Sequence, residues 1–189
     1  MKLPRAIRLD PSDTFIFERA AEPGEWAVSG AFLFEGADPE TMGAKERHAF
    51  RAGFLGVASF GFTTLVEVVS ADEAQRAQAV AQLAANFLKL GAPDGAAATR
   101  AAEEEVAFAA TLCEHEVGSL LAVERRVEGG DLRERFRTLR PRPAAPGADR
   151  THAFARAFTF HEVEGEEEPE ERVDLVSLAD RKGAVKDGS

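Results

Sequence analysis

FTTLVEVVSADEAQRAQAVAQLAANFLKL, residues 62–90, passes from the pattern of a β-strand to that of an α-helix. Residues 62–69 are apolar and rich in β-formers, which predicts a central strand covered on both faces. Between residues 72 and 90 the apolar side chains recur at helical spacing, as Val80, Leu83, Ala84, Phe87 and Leu90. Ser70, followed by Glu73 three residues later, predicts the N-cap and capping box of this helix.

A second helix and a hairpin are predicted after this stretch. GAPDG at 91–95 ends the first helix, and residues 97–117 form the next. Its buried stripe comprises Ala102, Val106, Ala109, Ala110, Cys113 and Val117. Residues 119–127 and 132–139 flank EGGD, residues 128–131, which favours a β-hairpin. The spacing of Leu132, Phe136 and Leu139 also fits a helix, so both interpretations stay open at this point.

The segments outside this central region read mostly as strands and turns. Strands are predicted at 5–9, 14–18, 26–34, 152–163 and 173–178, with a short helix or irregular excursion at 39–53. Residues 141–149, with three prolines, and the charged residues 165–172 are predicted loops. The order of elements therefore predicts an α+β fold, an antiparallel sheet of about six to eight strands with two consecutive helices packed on one face. We expect a single domain over residues 1–178 and a polar tail at 179–189, and the order argues against a doubly wound nucleotide-binding fold.

Composition narrows the class of protein. The chain has 189 residues, 44% of them hydrophobic, and a formal net charge of −10. Its one cysteine, Cys113, excludes an intramolecular disulfide and a multi-cysteine zinc site, as expected in a reducing compartment. No apolar run is long enough to cross a bilayer, and no signal core follows the N-terminus. We therefore expect a soluble cytoplasmic protein without membrane or nucleic-acid partners.

Arginines are concentrated in one segment, residues 125–142, in which acidic residues lie between them. It contains Arg125, Arg126, Arg133, Arg135, Arg137, Arg140 and Arg142. Because glutamates and an aspartate break the run, we interpret it as a solvated hairpin or a protein-binding face. Arg133, Arg135 and Arg137 are the predicted partner-binding residues.

No pattern indicates a catalytic residue, a metal site or a cofactor. Cys113 and His115 are two residues apart, so on one helix they point in different directions and cannot share a metal. We interpret Cys113 as a buried apolar residue and His115 as a surface residue. His152 and His161 would lie on opposite faces of one strand. Gly53, Gly56 and Gly61 precede a strand rather than opening a helix, so they do not match a phosphate loop.

Phenylalanine occurs 14 times, often alternating along predicted strands. Such a set usually forms the core, and it can also line an apolar ligand pocket between the sheet and the helix pair. Trp26, Arg156 and His161 are the residues expected to border that pocket.

Several segments carry a family resemblance: RAIRLDPSD at 5–13, AEPGEWAVSG at 21–30, AFRAGFLG at 49–56, SFG at 59–61 and FRT at 136–138. With them the chain resembles a family of small uncharacterised bacterial proteins, a domain of unknown function. The resemblance implies no established activity or site. It does imply an accessory role, because relatives lie near genes for the maturation of redox enzymes.

Two functions are therefore expected, from different classes. The first is a non-catalytic cytoplasmic accessory or interaction protein that uses its acidic surface or its arginine hairpin. The alternative is a small-molecule-binding protein or enzyme with the phenylalanine-lined pocket. We favour the first, because no catalytic motif is visible and the charge is unevenly distributed.

Overall fold

The computed structural model describes residues 1–141 and 161–164, with side chains described for residues 1–139. In chain order the elements are β1 (Lys2–Ile7), α1 (Ser12–Ile16), β2 (Ala27–Val28), a 3₁₀ helix (Ala31–Phe34), α2 (Ala44–Ala52), β3 (Phe54–Gly56), β4 (Phe62–Thr63), β5 (Leu65–Ser70), α3 (Glu73–Lys89), α4 (Gly95–Thr111), β6 (Leu120–Glu128), β7 (Asp131–Pro141) and β8 (His161–Glu164).

The strands form two antiparallel sheets. The larger has the order β1-β5-β6-β7-β8, and the smaller has the order β2-β3-β4. The prediction of an α+β fold with antiparallel strands is confirmed, and the strands are divided between two sheets rather than joined in one. Helices α3 and α4 pack on a core that takes Leu3 from β1, Val28 from β2 and Leu55 from β3. The helix pair therefore covers the region where the two sheets meet.

The two predicted long helices are present as α3 and α4, but the start of α3 and the end of α4 differ from the prediction. Strand β5 stays paired with β1 as far as Ser70, which lies opposite Lys2. The N-cap of α3 is therefore Asp72, whose carboxylate accepts a hydrogen bond from the amide of Gln75 at 2.7 Å while the Gln75 side chain accepts from the Asp72 amide at 2.9 Å. The predicted cap at Ser70 is thus wrong by two residues. Helix α4 ends at Thr111 rather than at residue 117.

The β6–β7 hairpin is confirmed, and the helical alternative for residues 132–139 is excluded. Nine cross-strand pairs run from Leu120↔Leu139 to Glu128↔Asp131. Gly129 and Gly130 form the turn with φ of 63° and 93°. Both values are left-handed, as a type I′ turn requires, and glycine adopts them without a steric penalty.

Two predicted strands near the N-terminus are wrong. Residues 14–18 overlap the helical turn α1, in which the buried carboxylate of Asp13 accepts hydrogen bonds from the Thr63 and Thr64 hydroxyls at 2.9 and 2.7 Å. In residues 26–34 the strand is limited to β2, preceded by the isolated bridge between Trp26 and Arg5. The chain turns at Gly30, with φ of 79°, where an added Cβ would lie 2.7 Å from the Leu55 Cβ.

Three further segments differ in detail from the expectation. The first strand is β1, Lys2–Ile7, rather than residues 5–9, and the helix of residues 39–53 is α2. Residues 62–69 divide into β4 and β5. On β5, Val66 and Val68 are fully buried while Leu65 and Val69 are half-exposed, so one face is covered more completely than the other. Residues 161–163 of the strand predicted at 152–163 lie in β8, and its residues 152–160 lie outside the described residues. The rest of the loop predicted at 141–149, the loop at 165–172, the strand at 173–178 and the tail at 179–189 also lie outside them.

Candidate functional site

The β6–β7 hairpin has an outer face that consists almost entirely of charged residues. Directly opposite residues of an antiparallel pair share a face, so the register places seven charged side chains together. They are Glu124, Arg126 and Glu128 on β6 and Asp131, Arg133, Arg135 and Arg137 on β7, and we call this set the arginine face. Arg126 and Arg133 are well exposed, at 60% and 64% of their side-chain area. The predicted partner-binding residues therefore share one accessible surface.

Ion pairs cross the arginine face. Glu124 accepts hydrogen bonds from Arg126 at 3.0 Å and from Arg137 at 2.9 Å. These contacts, chiefly the hydrogen bond from Arg126, hold the pKa of Glu124 below its ordinary value, and the charge of Arg135 contributes to the same shift. Arg133 lies 3.5 Å from Asp131. Four arginines thus face three carboxylates in a chain whose net charge is −10.

Two of these arginines are placed against each other by the register. Arg126 and Arg133 are directly opposite across the hairpin. A like-charged pair in this position destabilises a sheet, whereas an anion between the two would stabilise it. A hollow of about 280 Å³ here is lined by Glu124, Glu128 and Glu134 as well as by Arg126, Arg133 and Arg135. Its arginines can donate to a carboxylate or another oxyanion that contacts more than one guanidinium group, in competition with the glutamates of the lining.

The opposite face of the hairpin contains Arg125. The prediction that this arginine belongs to a solvated segment is wrong. Arg125 is 1% exposed, the largest of the fully buried side chains. Its guanidinium donates to Glu134 at 2.8 Å, to the carbonyl of Gly53 at 2.8 Å, to that of Phe50 at 3.1 Å and to the Ser29 carbonyl. The last carbonyls of a helix lack intrahelical partners, so Arg125 completes the hydrogen bonds at the end of α2. This side chain positions the hairpin against α2 and against the start of the small sheet.

A groove of about 610 Å³ lies between α4 and the hairpin turn. Its lining includes Phe32, Glu35, Glu105, Asp131 and Leu132. Burial, together with the charge of Glu134, raises the pKa of Glu105 to about 7, although the charge of Arg125 opposes the shift. Glu105 is therefore poised to exchange a proton near neutral pH. It is not among the candidate site residues predicted from the sequence.

A second groove, of about 730 Å³, is lined by both phenylalanine rings and charged side chains. Phe34, Phe60 and Phe62 line it together with Arg19 and Lys45. It lies against α2 and the small sheet, whereas the pocket predicted from the sequence lies between the sheet and the helix pair.

Other phenylalanines occupy the core, which is the use of this residue type that the sequence favours. Phe17, Phe50 and Phe54 are at most 2% exposed. Phe60 has φ of 57° and is the non-glycine residue with a left-handed backbone in the described part of the chain.

The three residues predicted to border a ligand pocket are not brought together in the described part of the chain. Trp26 is half-buried against the helix-pair core, with the Arg5 guanidinium 5.9 Å from its ring centroid. Arg156 lies outside the described residues. His161 begins β8, and only its backbone is described.

Cys113 has the environment of a structural residue. It is 1% exposed, and burial raises the pKa of its thiol to about 12, so the nucleophilic thiolate is scarce at neutral pH. His115 is half-buried rather than on the surface, with its Nε2 2.9 Å from the Thr138 hydroxyl. Within residues 1–141 and 161–164, no group of three or more His, Cys, Asp and Glu side chains is placed to hold a metal ion.

The loop between β3 and β4, residues 57–61, binds a carboxylate that the protein itself supplies. One carboxylate oxygen of Glu25 accepts the amide hydrogens of Ala58 and Ser59, both at 2.8 Å. Gly61 is required here because an added Cβ would lie 2.5 Å from the Ala20 carbonyl oxygen. These contacts agree with the structural interpretation of the glycines.

The fold and these surfaces define a class: an α+β protein with two antiparallel sheets, a buried arginine anchor and a charged hairpin face. The chain belongs to a family of unknown function, DUF6505, whose model matches residues 1–156. No curated protein and no solved structure matches the chain. The described residues include no helix long and apolar enough to span a membrane.

Proposed function

We propose that the protein is a non-catalytic accessory protein that binds an acidic segment of a partner protein through its arginine face. The observation that carries this proposal is the pair Arg126↔Arg133, two like charges placed directly opposite on an exposed face. A cytoplasmic setting is part of the proposal, and the acidic composition and the single buried cysteine support it. The maturation of redox enzymes is the context that the family resemblance implies.

The arginine face is positioned for recognition by its place in the sheet. Strand β5 pairs only with residues 120–122 of β6, so most of the arginine face lies on the part of the hairpin beyond this neighbour. Arg125 holds that part against α2 from behind. The arginines are thus exposed on a fixed support, which reduces the conformational entropy lost on binding. A partner with closely spaced carboxylates would add to the ion pairs that Arg126 and Arg133 make with Glu124 and Asp131, and would accept bidentate hydrogen bonds.

A photo-crosslinking experiment tests this function in the host cell. A benzoylphenylalanine replaces Glu128, which is exposed on the arginine face, and the same group replaces Arg100, exposed on α4, as a control. We expect a discrete partner at position 128, with the crosslink mapped to a segment rich in Asp and Glu. The crosslink should disappear with R133E/R137E and persist with R133K/R137K, because lysine retains the charge. The same partner at position 100, or a crosslink unaffected by charge reversal, would disprove the assignment.

Small-molecule binding in the phenylalanine-lined groove is the second candidate function. The supporting observation is the left-handed backbone of Phe60, which is strained for a residue with a side chain and is found at the edge of this groove. A metabolite screen by thermal shift should then yield a compound that raises the Tm of the protein. Phe60→Gly removes the ring and suits the backbone, so the compound should have no effect on this variant. A screen without any shift would argue against this function.

A further inference from the structure

Strand β8 returns the chain to the hairpin immediately before an acidic run. It pairs antiparallel with β7, from Pro141↔His161 to Thr138↔Glu164. The chain direction along β8 therefore leads towards Arg137, the next residue of β7. Gly165 follows, and five of the next six residues are glutamates: Glu166, Glu167, Glu168, Glu170 and Glu171.

We propose that residues 166–171 of this chain bind its own arginine face and compete there with the acidic segment of the partner. This inference rests on the proposed function, because it assigns an internal competitor to the same surface. The partner would then have to displace the chain's own glutamates. The arginine face would thus be protected until a partner of higher affinity is present.

The distances make such an intramolecular contact accessible. Along β7 the arginines are two residues apart, so Arg133 and Arg137 are separated by about 13 Å at 3.3–3.4 Å per residue. Six extended residues span up to about 20 Å. Because the acidic run begins only two residues after the last paired residue, Glu164, a long linker is unnecessary. A short tether gives an effective concentration in the millimolar range, so even weak ion pairs can be populated.

The charge of the arginine face is complementary to that of residues 166–171. The arginine face contains four arginines and three carboxylates, and a further anion beside the directly opposite pair Arg126↔Arg133 would stabilise it. The acidic run has five glutamates and no basic residue. The family model ends at residue 156, so the arginines of β7 lie inside the matched region and the acidic run lies beyond it.

Competition with a synthetic peptide in the full-length protein tests the inference. The probe is a fluorescein-labelled peptide with the sequence EGEEEPEER, residues 164–172. In the test variant Glu166, Glu167, Glu168, Glu170 and Glu171 are all replaced by glutamine. The matched control changes five exposed glutamates elsewhere, E73Q/E103Q/E104Q/E114Q/E116Q. By fluorescence anisotropy at low ionic strength, we expect the peptide to bind the test variant about tenfold or more tightly than the wild type or the control.

The outcomes separate this inference from the proposed function. Equal, measurable binding to the wild type and the test variant would overturn self-occupancy and leave the proposed function intact. Absence of binding to both would contradict the arginine face as an acidic-segment site, and the inference would fail with it. Adding R133Q/R137Q to the test variant should abolish peptide binding, and retained binding would place the peptide elsewhere.

A second measurement identifies which chain supplies the acidic run. The NMR signals of the arginine Nε–Hε groups should differ between the wild type and the test variant. If the run binds its own chain, this difference is independent of protein concentration. A difference that grows with concentration would assign the run to a second copy of the protein and overturn the intramolecular contact.

Discussion

For Arg125, the alternation of the strand predicts that the side chain is buried but does not predict its hydrogen-bond partners. In LLAVERRVE, residues 120–128, Arg125 is in phase with Leu121 and Val123, which are both buried. This alternation was available in the sequence and predicts an inward side chain. An interpretation based on charge alone groups Arg125 with the exposed arginines. Its carbonyl partners at Ser29 and Gly53 are remote in sequence, and no local pattern indicates them.

Glu105 gives a prediction at the same scale, about the pH dependence of stability. The pKa of Glu105 is raised from 4.5 to about 7 in the folded protein, chiefly by burial. Between these values the folded state holds a proton that the unfolded state has released, so this residue makes stability fall as pH rises from 4.5 to about 7. Glu105→Gln should remove this loss and raise the free energy of unfolding by about 1 kcal/mol near pH 8, a value reduced because the side chain is partly exposed.

Urea unfolding of the wild type and Glu105→Gln at about pH 4 and about pH 8 measures the effect. The two proteins should differ little at the lower pH, because the carboxyl is protonated in both states there. Glu103→Gln, an exposed glutamate on α4 that does not contribute to the shifted pKa of Glu105, is the matched control and should show a smaller pH-dependent difference. An equal gain in stability at both pH values would mean that the glutamine acts through packing and not through the proton.

At the scale of elements, the sequence predicts those whose patterns are local. Helices α3 and α4 follow from apolar spacing, and the β6–β7 turn follows from two adjacent glycines. The strand expected over residues 26–34 fails because Gly30 is held against Leu55 by tertiary packing, which no local propensity contains. The groove lined by phenylalanines gives a second example, because Phe34 and Phe62 come from the 3₁₀ helix and from β4, and no local pattern indicates that their rings are in contact.

The start of α3 gives a prediction that separates the two possible caps. Asp72 accepts a hydrogen bond from the Gln75 amide, whereas Ser70 is the last residue of β5. Asp72→Ala should therefore lower the free energy of unfolding by about 1 kcal/mol, the usual cost of a lost N-cap. Ser70→Ala, an exposed substitution outside the cap, should change it by less than about 0.5 kcal/mol. Urea titrations of both variants make the comparison, and a larger loss at Ser70 would show that the helix begins as the sequence pattern suggested.

For the whole molecule, the joining of the two sheets was the part of the fold that the sequence could not predict. The helix pair covers the small sheet and β1 from one side. From the other side, Arg125 on β6 binds backbone carbonyls at Ser29, Phe50 and Gly53, which flank β2 and β3. One buried cation therefore connects the hairpin to the small sheet, and its loss would affect the coupling of the two parts as well as the total stability.

This coupling gives the last prediction, which compares two probes of unfolding. Trp26, the single tryptophan, lies next to β2 and reports on the small sheet through its fluorescence. Hydrogen exchange of residues 123–136 reports on the hairpin. In the wild type both signals should change at the same urea concentration, as in a single cooperative transition. Arg125→Met combined with Glu134→Gln removes the ion pair without leaving a buried carboxylate, and leaves the carbonyls at the end of α2 unsatisfied.

In that double variant we expect a total loss of about 3 kcal/mol, with the hairpin losing protection at a lower urea concentration than the Trp26 transition. Arg126→Met, on the same strand with an exposed side chain, is the matched control and should keep the two transitions together. Separate transitions in the wild type would show that the sheets unfold independently. Coincident transitions in the double variant would show that apolar packing, rather than Arg125, couples them. The experiment thus decides whether the support of the arginine face depends on one buried side chain or on the core as a whole.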